Sequence, residues 1–99
     1  MKKEIFDSYA ESIAKQFHLS LDQMFDKSKR RDIVDARNML YYLCATRPMR
    51  VRDIQEYIKE DGHSIGHSSI VQGIKSMSDK VDNDKDYVSI VKRIEGCVI

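Results

Sequence analysis

Ile70, Ile74, Met77 and Val81 follow one another at steps of 4, 3 and 4 residues. That rhythm is one face of an α-helix. Every other apolar segment of the chain keeps the same period, and no alternating run of β-branched residues offers a strand. With one proline and four glycines there is little material for the tight turns of a sheet. The periodicity therefore predicts an all-α fold, about six short helices forming one domain over residues 1–99.

The first helix is expected from about Lys3 to Phe17, with Ile5, Tyr9, Ile13 and Phe17 inward and Phe6, Ala10 and Ala14 widening the stripe. Ser20 reads as the N-cap of a short helix, LDQMF, whose Leu21, Met24 and Phe25 face the core. The polar stretch DKSKRRD then reads as a loop. A third helix, about Arg31 to Thr46, is apolar nearly all round its second half, as a central helix must be, and Pro48 ends it. A fourth, about Val51 to Lys59, turns Val51, Ile54 and Ile58 to one side. EDGHSIG reads as a turn. Ser69 with Gln72 has the spacing of a capping box for a fifth helix over 69–81. Its other face presents Ser68, Ser69, Gln72, Gly73, Lys75 and Ser76 with no acid among them. Asp84 or Asp86 is the expected cap of a last helix with Tyr87, Val91 and Ile94 inward.

Net charge is +1, so any nucleic-acid function depends on where the charge sits. Basic residues gather in KSKRR (Lys27, Lys29, Arg30, Arg31), at Arg37, and at Arg47, Arg50 and Arg52, while acids gather at 56–61 and 79–86. No apolar stretch reaches the roughly 20 residues of a membrane helix, and the N-terminal lysines are followed by no apolar run. The expectation is a cytoplasmic protein whose two well-separated cysteines, Cys44 and Cys97, are reduced and buried. His63 and His67 are four apart, but Gly66 and the turn fall between them, so no metal site is expected. Ser68 and Ser69 beside a histidine lack an orienting third group, so neither is read as a nucleophile. No catalytic residue, cofactor or nucleotide-binding GxxxxGK[ST] loop is identified, and the chain is not read as an enzyme.

Two helices joined by a turn, the second small and polar outside, are what a helix-turn-helix requires, although many helical bundles contain such a pair. A helix N-terminus also offers backbone N–H groups to a phosphate, and a basic loop can follow the DNA backbone or simply be solvated. At these two places together, KSKRRDIVDARNMLYYL and GHSSIVQGIKSM, the chain resembles the C-terminal DNA-binding domain of the bacterial replication initiator DnaA. The likeness extends from IAKQFHLSLDQMF to VKRI.

The resemblance implies that Lys29 or Arg30 enters a minor groove and that Arg31 and Arg37 are phosphate-binding or structural. It puts His67 and Ser68 on bases in the major groove. Gly66 stands where the family has aspartate, Arg52 where it has proline, and the turn is longer. The expected DNA-binding set is thus Lys27, Lys29, Arg30, Arg31, Arg37, Arg50, Arg52, His67, Ser68, Ser69, Gln72 and Lys75. The implied partner is double-stranded DNA, in a nucleoid-associated role regulating replication or transcription without ATPase activity, with another replication protein as a further partner. A protein-interaction module on the same fold is the rival expectation.

Overall fold

A computed structural model of the chain describes residues 2–26 and 30–97. Lys27 and Lys29, and the side chain of Cys97, lie outside the described residues. Among the described residues six helices follow in order: α1 (Lys2–Gln16), α2 (Leu21–Phe25), α3 (Arg31–Ala45), α4 (Val51–Glu60), α5 (His67–Asn83) and α6 (Lys85–Cys97). No strand occurs among the described residues, and the all-α expectation stands.

The connections show why the helices stop where they do. Ser20 caps α2 with both halves of a capping box: its Oγ accepts the Gln23 N–H at 3.1 Å, and Gln23 Oε1 accepts the Ser20 N–H at 2.9 Å. Two helices end in the Schellman arrangement, in which a left-handed residue lets the chain double back onto the last turn. After α4 that residue is Gly62 at φ 90°, with the His63 N–H donating to the Ile58 carbonyl at 3.1 Å. After α1 it is His18 at φ 58°, an unusual place for a side chain, with the Leu19 N–H donating to the Ala14 carbonyl at 2.8 Å. Asp84 opens α6 by accepting the Asp86 N–H at 2.9 Å.

The core is one continuous cluster built around α3. Met39, Leu40, Leu43 and Cys44 have no exposed surface, and α3 packs on α1, α2, α4 and α5. Phe6, Tyr9 and Ile13 of α1, Met24 and Phe25 of α2, Ile54 and Ile58 of α4, Ile70 and Met77 of α5, and Val91 and Ile94 of α6 complete it.

Four local expectations are corrected. Leu21 does not face inward but is 42% exposed, because the single turn of α2 turns only Met24 and Phe25 onto the core. Helix α5 begins at His67, two residues before the expected start, and Gly66 is its N-cap with no side-chain hydrogen bond. Ser69 already lies inside the helix, so the Ser69–Gln72 capping box does not form. Gly73 belongs to the buried face, where a Cβ would come within 2.5 Å of Asn38 Oδ1 and 2.7 Å of Tyr41 Cδ2. The missing side chain is what lets α5 approach α3 this closely.

Candidate nucleic-acid interface

The approach of α5 to α3 has a direction. Gly73 lies against Asn38 and Tyr41, while further along α5 Lys80 reaches back to Asp35. The two helices therefore run antiparallel. Asp35 is 7% exposed and accepts from Lys80 Nζ at 2.6 Å and from Tyr87 OH at 3.0 Å, tying α3, α5 and α6 together. Burial and the hydrogen bond to Asp35 raise the Tyr87 hydroxyl above its ordinary pKa. A carboxylate flanked by Val34 and Ala36 on α3 was the available signal for this cluster; nothing local in the sequence names its partners.

Helices α4 and α5 are consecutive helices joined by the turn 61–66. The turn is fixed to α4 by Gln55 Nε2, which donates to the Ile65 carbonyl at 3.1 Å, and by the half-buried Ile65 packed against the core. The start of α5 is thereby set. His67, Ser68, Ser69, Gln72, Lys75 and Ser76 are all exposed, and the first acid on the helix is the exposed Asp79. With no side-chain acceptor at the Gly66 cap, the first-turn N–H groups are available to an outside anion.

Beside this face lies a groove of about 720 Å³ lined from α3 by Arg37, Asn38 and Tyr41, from the turn by Ser64 and Gly66, and from α5 by Ser69, Gln72 and Ser76. Its lining contains no acid. Three of the expected residues, Arg37, Ser69 and Gln72, thus share one groove. The Arg37 guanidinium also donates to the Asp26 carbonyl, holding the point where the basic loop begins.

The remaining basic residues are dispersed. Arg30 pairs with Asp32, Nε to Oδ1 and an amino group to Oδ2, both at 2.8 Å. Arg31 is exposed at the start of α3, towards the C-terminal end of α5. Arg50 and Arg52 are exposed at the start of α4, the end remote from the turn, and do not line the groove. Arg47 packs on the Tyr9 ring and donates to its hydroxyl at 2.7 Å, a contact that pins the end of α3 to α1.

The two histidines of the turn face different ways. His63 packs on the Phe25 ring, 5.4 Å between centroids, with Nε2 3.9 Å from Asp22, whereas His67 is exposed at the start of α5. Among the described residues no group of three His, Cys, Asp or Glu side chains could hold a metal ion, and no helix is long and apolar enough to cross a membrane. A second cleft, about 340 Å³, lies by α1 and α2 and is lined by Asp7, Glu11, Asp22, Asp61, Leu21 and Phe25. Its acidic rim makes it electrostatically the opposite of the groove beside α5.

Comparison with protein-family models, with curated proteins and with solved structures finds no match.

Proposed function

We propose that this chain binds double-stranded DNA, presenting α5 to the major groove and the basic loop before α3 to the neighbouring backbone or minor groove. The observation that carries the reading is the exposed, acid-free entrance of α5, His67 to Ser76, beside an acid-free groove that holds Arg37. Phosphate repels carboxylates, so an acid-free end lowers the electrostatic cost of bringing the helix against DNA. The antiparallel run of α3 and α5 adds a dimension. Arg31, at the start of α3, lies towards Lys80, which stands about 20 Å along α5 from His67 at 1.5 Å per residue. That is on the order of half a DNA turn of 34–36 Å, the offset between a major groove and the adjacent backbone. Arg31 and Arg37, with Lys27, Lys29 and Arg30, supply the phosphate contacts, and His67, Ser68, Gln72 and Lys75 face the bases. Regulation of replication or transcription in the nucleoid, alongside a replication protein, follows from the motif resemblance.

A titration of a fluorescent random duplex at several salt concentrations tests this reading. With four to six phosphates contacted, log K falls against log salt with a slope of roughly −4 to −5. A slope near zero, or no binding at low salt, removes the proposal. The reading left would be a protein-interaction module, which the acidic cleft with its 42%-exposed Leu21 favours and whose partner would present a basic surface.

A further inference from the structure

Only two large hydrophobic side chains among the described residues are substantially exposed, Leu21 and Val71, each at 42%. Val71 stands on α5 itself, three residues after Ser68 and four before Lys75, so these three are neighbours on adjoining turns. Its exposed neighbours His67, Ser68, Gln72 and Lys75 are small, polar or basic, with the half-buried Ile74 on the core side. The inward stripe of α5 is carried without it by Ile70, Gly73 and Met77. The fold therefore makes no packing demand for a branched apolar side chain at this position. A helix lying in a major groove meets one apolar group on the base edges, the 5-methyl of thymine.

Resting on the DNA-binding reading above, we infer that Val71 is a specificity-determining residue that reads a thymine through its 5-methyl group. His67 and Ser68 read by hydrogen bonds at the helix entrance, and Val71 adds an apolar contact one turn deeper. The preferred site carries a thymine at the base pair facing Val71, and loss of that methyl costs affinity although no hydrogen bond changes.

The test starts from a site selected by the wild-type protein out of a random duplex library. Each thymine is replaced singly by deoxyuridine, which differs only in lacking the methyl. Wild type loses about three- to fivefold in affinity at one position, the worth of one buried methyl. Val71→Ala binds the thymine duplex more weakly and shows no further loss on deoxyuridine at that position, while Ser68→Ala retains the deoxyuridine effect. Equal sensitivity of wild type and Val71→Ala at every thymine overturns the inference and leaves DNA binding standing. Absence of any wild-type affinity for duplex DNA removes both. Matching urea midpoints for wild type and Val71→Ala show that binding, not folding, is being read.

Discussion

At the scale of single residues, Gly73 is the one glycine of the four at which an added Cβ would meet a neighbour. Alanine is the better helix former by about 1 kcal/mol, yet a Cβ here would press on Asn38 and on the Tyr41 ring. Overpacking of this kind costs about 1–3 kcal/mol, so after the helix-propensity gain Gly73→Ala is expected to lower stability by up to about 2 kcal/mol in urea unfolding. In an Asn38→Ala background the loss should shrink, because one of the two obstructing side chains is gone. Cys44 gives a pH signature. Burial pushes its thiol up to about 12 from an ordinary 9.0, and burial likewise raises Tyr41 to about 12. A folded-state pKa above the unfolded one means stability that is whole below the unfolded value and lost as pH rises through the folded one. Urea midpoints should therefore decline between about pH 9 and pH 12. Cys44→Ala, whatever its baseline, should decline less steeply over that window, and an unchanged slope would contradict the assignment.

At the scale of elements, α3, α5 and α6 are held in register by Asp35 as well as by apolar packing. Its side chain joins α3 to Lys80 and Tyr87, 45 and 52 residues away in sequence. Removing one partner of a buried pair leaves the other unsatisfied. Asp35→Ala is accordingly expected to cost about 2–4 kcal/mol. Asp35→Asn, which keeps the shape and an acceptor oxygen, should cost less. A chemical-denaturation series over both variants and Tyr87→Phe orders these effects; equal stability of Asp35→Ala and wild type would show that the cluster is incidental. This bond also sets the offset between the start of α3 and the helix entrance, so an Asp35 variant that still folds should lose duplex affinity more than Ser69→Ala.

For the molecule as a whole, a net charge of +1 leaves little general attraction for a polyanion, so local charge placement governs any binding. Asp79 is exposed on α5 and is the first acid after the entrance. Asp79→Asn is expected to raise affinity for random duplex about two- to fivefold at low salt, with the gain fading as salt is added. Glu11→Gln makes the same change of charge in the acidic cleft by α1 and α2 and should do much less. Fluorescence anisotropy on one labelled duplex compares the two, and equal gains would mean that α5 is not the surface facing DNA.

Helix number and phase were legible in the sequence because they are local. Residues three and four apart meet on one face, and an apolar stripe records which face is buried. The Ser20 cap and the turn at Gly62 are equally local, each closed by bonds within five residues. What failed locally was the start of α5. The packed Ile65 and the Gln55 bond fix the turn so that His67 is already helical, overriding the Ser69–Gln72 pattern. The contacts of Gly73, the partners of Asp35 and the antiparallel run of α3 against α5 are tertiary matters. They join segments tens of residues apart, and no period in the chain encodes which distant side chain arrives opposite. The candidate interface divides the same way: its polar residues stand in the sequence, but only packing assembles Arg37, Ser69 and Gln72 into one groove. Packing also leaves Val71 in solvent, because the buried face of α5 is already filled against α3.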